Sequence, residues 1–295
     1  MVAFCAVYIS RLDWGKMAAV KVNIPSMLLS IVAGVSYLFL SSFIWIRMLF
    51  RLNAGVRPSW DLLAVYAKSW MGRYIPGKVV WIAGKIHFAS RYGIPASQLG
   101  ITSFLEAGVQ MATQLIISLF IVLMDGHFTM LSQGVRALTM IAIAGLTIAL
   151  LPPVFNAATA LITRITKRQV EHNVTVTFTA IGEMTGLYSV GYLLLGLTYF
   201  FSLKSFMPEL NPALFWFTTA GISIAGALGI LALFAPSGLG VREGFTVLFL
   251  SFVMPVELAV VSALVLRVVA ILMDLVFLGS CIAGRALFRR KAVAR

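Results

Sequence analysis

Residues 24–46 contain no charged side chain, and that stretch narrows the possible folds more than any other feature. A run of this length is what an α-helix needs to cross roughly 30 Å of hydrocarbon at about 1.5 Å per residue. In lipid every backbone amide must be paired internally, so such a run forms a helix and not an open strand. The pattern recurs: 97–124 carries one charge, Glu106, while 214–234 carries none. Charged residues make up 11% of the chain, against about 25% in soluble domains. The sequence is therefore read as an all-α polytopic membrane protein forming a single transmembrane domain, and a soluble enzyme is excluded. The net charge of +13 lies mostly beside the apolar runs. It points to membrane orientation and anionic lipid, with no nucleic acid partner.

The short loops set an expected topology. Residues 24–46 end in Arg47, Arg51 and Arg57, which predicts a cytoplasmic exit. The loop 125–133 has almost no basic charge and is expected outside. Residues 136–155 cross back and stop at Pro152-Pro153, before a basic loop holding Arg164, Lys167 and Arg168. Residues 181–203 cross outward, and the tail with Arg285, Arg289, Arg290, Lys291 and Arg295 places the C-terminus in the cytoplasm of a cell (inner or plasma) membrane. Residues 1–10 read as the end of a truncated first helix, since they are too short to span and lack signal-peptide features. Arg11, Lys16 and Lys21 on the following outer segment run against this topology.

Three pieces are too short to cross: 60–74, 79–92 and 245–254. The first two are separated by Ile75-Pro76-Gly77-Lys78, and the third follows Pro236-Ser237-Gly238-Leu239-Gly240. Pro76 and Pro236 are 160 positions apart, as are Pro95 and Pro255, and Gly84 and Gly244. Each half shows a break, a short helix, a second proline and a long helix with an ionisable residue about ten positions in. The expected fold is an inverted-topology repeat, residues 58–124 and 213–283, with two re-entrant broken-helix hairpins entering from opposite faces. The alternative is that the matched prolines merely kink ordinary helices.

Ionisable residues inside such segments are costly, so each implies a partner or a task. Glu106 and Arg267 stand at similar depth and are expected to pair. Gln110 follows Glu106 by one turn, and Asp274 follows Arg267 by two. These four form a midplane polar network, with a purely structural role as the alternative. At the breaks, Pro76, Gly77, Pro236, Gly238 and Gly240 leave backbone amides that hydrocarbon would not tolerate. Arg73, Lys78, Arg242 and Glu243 flank them, and cations beside helix N-termini suit an anionic headgroup, most simply a lipid phosphate. Snorkelling to the interface is the alternative for Arg73 and Lys78. His87, His127 and His172 are isolated, so no metal or cofactor is expected. Gly221, Gly226 and Gly229 are read as close helix packing, and Trp14, Trp60, Trp70 and Trp81 as interfacial belt residues.

The motifs Ile75-Pro76-Gly77-Lys78, Gly93-Ile94, Ser103-Phe104-Leu105-Glu106, Pro236 through Gly244 and Leu266-Arg267 resemble the transmembrane region of lysylphosphatidylglycerol synthases, the flippase-like domain family. The resemblance covers about 45–279, and the second glycine-rich motif is its most specific part. It implies lipid translocation linked to envelope lipid or glycolipid synthesis. Ala107 and Gln110 depart from the commoner pattern, where an arginine and an acidic residue often stand. The soluble acyl-transfer domain of the synthases is not matched, so aminoacyl transfer is not carried over. Two other classes compete: a membrane glycosyltransferase acting on polyprenyl-linked sugar, with Glu243 and Asp61 as candidate bases, and a non-catalytic accessory subunit. The expected partners are a membrane phospholipid or lipid-linked sugar, with a homo-oligomer or envelope-synthesis enzymes beside it.

Overall fold

A computed structural model of the chain describes residues 22–51, 59–75, 80–126, 132–165, 175–232, 238 and 240–293. The proposed first helix at 1–10, the break residues Pro76, Gly77, Lys78 and Pro236, and also Trp14, His127 and His172, lie outside the described residues. Among the described residues the fold is entirely helical. The α-helices are α1 (Ile24–Arg51), α2 (Trp60–Trp70), α3 (Val80–Ala89), α4 (Ala96–Met124), α5 (Gln133–Ala149), α6 (Pro152–Ile165), α7 (Phe178–Lys204), α8 (Phe215–Leu231), α9 (Val241–Leu250) and α10 (Val256–Val293). Five segments are long and apolar enough to cross a membrane: α1, α4, α7, Pro212–Leu231 and α10. The architecture is that of a multi-pass helical membrane protein.

Local chemistry accounts for several boundaries. Ser59 and Thr177 cap α2 and α7 by accepting from the N–H groups of Leu62 and Ala180, satisfying donors that open every helix. Gly93, at φ 76°, ends the turn after α3 in the left-handed region that favours glycine. The crossing helix α5 ends just before Pro152-Pro153, as expected, but Arg164 is not in a loop: the chain bends by 73° and α6 begins at Pro152 and takes in Arg164, because proline is well placed in a first helical turn, where its missing N–H has no partner to lose.

The core is a bundle around α1, α7 and α10. Helices α1 and α7 are antiparallel: Asn23 N–H donates to the Ser205 carbonyl (2.6 Å), the Ser30 and Ser202 hydroxyls are 2.7 Å apart, and Arg47 and Arg51 meet Glu183. Helices α1 and α10 run parallel, with Gly34 beside Met273 and the Phe39 ring edge-on to Phe277 at 5.0 Å. Arg47, Arg51, Arg285 and Arg289 therefore gather at one end of the bundle.

Two antiparallel helix pairs complete it: α2 with α3, both short, and the longer α8 with the short α9. In the first, Gly84 lies against Ser69 and Gly72 against the Trp81 backbone, where added Cβ atoms would stand 3.2 and 3.0 Å away. Its α2 runs antiparallel to α10. The Trp60 ring fills the space over Gly284, Tyr66 meets Phe277 at 6.3 Å, and Trp70 Nε1 donates to Asp274 at 3.1 Å. In the second, Gly221 sits under Phe249 and Gly229 under Arg242. Of the three glycines read as packing residues, these two have that role. Gly226 has open space around it.

Candidate functional site

The first hairpin begins and ends at one level of α10. Arg285 donates to Asp61 at the start of α2 (2.5 Å) and to the Tyr92 hydroxyl beyond α3 (3.3 Å), and Arg289 reaches Asp61 at 3.0 Å. Partial burial works against ionisation of Asp61, yet the two arginines hold its carboxyl below the usual range. Eleven residues back along α10, about 16 Å at the helical rise, Asp274 receives the hairpin's tip. Arg73, the Tyr74 hydroxyl and Trp70 Nε1 all donate to its carboxylate, which has no exposed surface. The Arg73 guanidinium also lies over the Trp70 ring, 4.7 Å from its centroid.

The second hairpin meets α10 from the opposite direction. Its helix α9 starts at Gly240, whose φ of 81° sets the turn and whose N–H donates to Glu243 at 2.6 Å. Glu243 is thus an N-cap partner as well as the counter-ion of Arg267, at 3.7 Å. Gly238, at φ 70°, stands so close to Gly229 that a Cβ would lie 2.8 Å from the carbonyl oxygen. Only glycine suits such a position. Arg242, Glu243, Thr246, Ala263, Leu266 and Arg267 line a shallow cleft between α9 and α10.

These two contacts adjoin. Arg267 and Asp274 are two turns apart on α10, about 10 Å, and Arg267 lies 6.0 Å from the Tyr74 ring centroid. The structure therefore brings Arg73, Arg242, Glu243, Arg267 and Asp274 to the middle of α10, three guanidinium groups against two carboxylates.

The expected pairing of Glu106 with Arg267 is corrected. Glu106 accepts from Lys85 and, at 2.8 Å, from the Tyr66 hydroxyl, whereas Arg267 takes Glu243. Each residue stands about ten positions into its own helix, but Glu106 is taken by Lys85 of α3 and Tyr66 of α2. Lys85 is fully buried, with its Nζ 4.9, 4.3 and 4.9 Å from the ring centroids of Trp45, Tyr66 and Trp81. Trp70 and Trp81 are half-buried and pack on each other, with ring centroids 6.4 Å apart. Gln110 joins neither carboxylate; with Gln114 it donates to the Tyr37 hydroxyl. The sequence reading missed Lys85, Tyr66 and Tyr74. The signal present was a lysine in a segment too short to span, one position after Gly84.

His87 is exposed, near Arg91, and among the described residues no three His, Cys, Asp or Glu side chains are grouped as metal ligands. Comparison of the chain with protein-family models, curated proteins and solved structures gave no match.

Proposed function

We propose that the chain is a lipid translocase that moves an anionic or lipid-linked headgroup between leaflets of the membrane. The observation that carries this reading is the meeting of two helical hairpins, open toward opposite ends of the bundle, at three guanidinium groups midway along α10. Charge in a membrane interior is costly and has either a partner or a task, and irregular backbone there is tolerated only in a wet cavity or buried in protein. Broken helices converging near the midplane are the geometry of an inverted repeat. The clustering of Arg47, Arg51, Arg285 and Arg289 at one end supports a cytoplasmic C-terminus. The motif resemblance to the flippase-like family supports the same function.

In this reading the carboxylates act as resident counter-ions. Asp274 ties the first hairpin to α10 through Arg73 and Tyr74, and Glu243 ties the second through Arg267. A phosphate entering at Arg242 competes for these guanidinium groups, so arrival of the headgroup loosens the hairpins from α10. Each charge-assisted bond is worth about 1.5–3 kcal/mol, enough to bias a two-state packing. The accessory-subunit reading draws on a different observation, that each described interior carboxylate already has a partner within the chain.

The test is redistribution of fluorescent lipids in vesicles holding the purified chain. Anionic lipid is expected to equilibrate between leaflets, and Arg242→Gln to slow it by at least about tenfold, the equivalent of about 1.4 kcal/mol. Zwitterionic lipid should be affected less. Folded Arg242→Gln protein that moves anionic lipid at the parent rate would remove the headgroup site, and no redistribution at all would favour the accessory subunit.

A further inference from the structure

Helix α4 carries a second feature that the headgroup site does not use. From Gln98 every fourth residue is polar: Gln98, Thr102, Glu106, Gln110, Gln114 and Ser118. At about 1.5 Å per residue this ladder is about 30 Å long, the thickness of the hydrocarbon core. A spacing of four against 3.6 residues per turn winds it slowly around the helix, so that successive stretches face different neighbours. Thr102 Oγ1 donates back to the Gln98 carbonyl (2.8 Å), Glu106 meets Lys85 of α3 and Tyr66 of α2, Gln110 and Gln114 share the Tyr37 hydroxyl of α1, and Ser118 lies 2.9 Å from the Tyr192 hydroxyl of α7.

Structural polar contacts between membrane helices are common, but they do not account for what lies along this ladder. Gln98 Oε1, Ser103 Oγ and Thr113 Oγ1 on α4, and Tyr188 Oη on α7, are buried without a hydrogen-bond partner among the described residues. Such atoms are ordinarily satisfied by internal water bridging to neighbouring polar groups. Gln98 and Ser103 precede Glu106 along α4, Thr113 follows it, and Tyr188 lies beside it. The groups facing the Glu106 carboxylate are Lys85, Tyr66, Tyr188 and, one helical turn on, Tyr37; arginines do not enter this set among the described residues.

We infer that the α4 ladder is a hydrated proton pathway, with the Glu106–Lys85 pair as its single proton-holding station. Internal water and the hydroxyls relay the proton, the amides orient the Tyr37 hydroxyl by donating to it, and none of these holds charge, so the pair is where a proton rests. Uptake converts the ammonium–carboxylate pair to ammonium and carboxylic acid, adding one positive charge; release to the other side restores the pair. Coupling of this cycle to lipid movement rests on the translocase reading. The physical link is Tyr66, which donates to Glu106 and belongs to the hairpin that grips Asp274.

The experiment uses the full chain in phosphatidylglycerol–phosphatidylcholine vesicles with a trapped pH-sensitive dye, and a potassium–valinomycin clamp to hold the potential. Lipid redistribution is followed in the same preparation. After a pH step the parent protein is expected to admit protons faster than protein-free vesicles. Tyr37→Phe, which keeps the ring but breaks the relay, should slow uptake by at least about tenfold. The paired change Glu106→Gln with Lys85→Gln removes the station without leaving a buried charge, and should abolish uptake. Parent uptake equal to that of protein-free vesicles overturns the inference, as does parent-like uptake in either folded variant. Lipid movement without proton uptake refutes the pathway and leaves the translocase reading standing; proton uptake without lipid movement does the reverse.

Discussion

Replacing Glu106 with Gln isolates the buried pair. Lys85 and Glu106 side chains are 0% and 1% exposed, so the variant strands an ammonium group with no carboxylate and no contact with bulk solvent. Removing one member of such a pair costs about 3–5 kcal/mol. The Trp45, Tyr66 and Trp81 faces around Nζ offset part of this, at about 0.5–2 kcal/mol for each favourable ring contact, which places the expected loss at the lower end of the range. For chains of this size about 1 kcal/mol moves the midpoint by about 2–4 °C, so thermal unfolding in detergent, read by tryptophan fluorescence, should fall by about 6–12 °C. Adding Lys85→Met should restore most of it, because methionine fills the same aromatic surround without a charge. Arg267→Gln added to Glu106→Gln should be additive, since the two residues do not touch. A single variant that loses less than about 2 °C, or a Lys85→Met double variant as unstable as the sum of its parts, refutes the argument. Coupling between positions 106 and 267 would reinstate the pairing that depth alone suggests.

Two further outcomes follow from particular contacts. Gly238→Ala places a methyl group 2.8 Å from the Gly229 carbonyl oxygen at a φ of 70°; it should cost at least about 1–3 kcal/mol, seen as reduced thermal stability, while Gly226→Ala, with open space around it, should be neutral or stabilising. Asp61 has its carboxyl depressed by Arg285 and Arg289 against partial burial, so its contribution is complete above the ordinary aspartate value near 4 and is lost as pH falls below that. Thermal midpoints measured from pH 6 down to pH 3 should converge for the parent and Asp61→Asn at the acid end; parallel curves would contradict the ion pair.

Hydropathy in the chain determines which segments can lie in a membrane, because the requirement for a long apolar run with internally paired amides is local to each segment. Thus the spans at α1, α4, α7 and α10, the brevity of α2, α3 and α9, and the glycines at 238 and 240 were legible from residue order alone. The same local chemistry marked Arg73, Arg242, Glu243, Arg267 and Asp274 as costly enough to need a role. Their partners were not legible. Hydropathy reports how deep a side chain sits along its own helix but not the direction in which it points or which helix faces it. Glu106 and Arg267 each stand about ten residues into a long helix, yet packing of α4 against α2 and α3 gives the carboxylate to Lys85 and Tyr66. The tip of the first hairpin occupies Asp274, and capping of α9 turns Glu243 toward Arg267. Lys85 drew no reading of its own from residue order. Only packing, which surrounds its ammonium with three aromatic rings and a carboxylate, makes a fully buried lysine tolerable there.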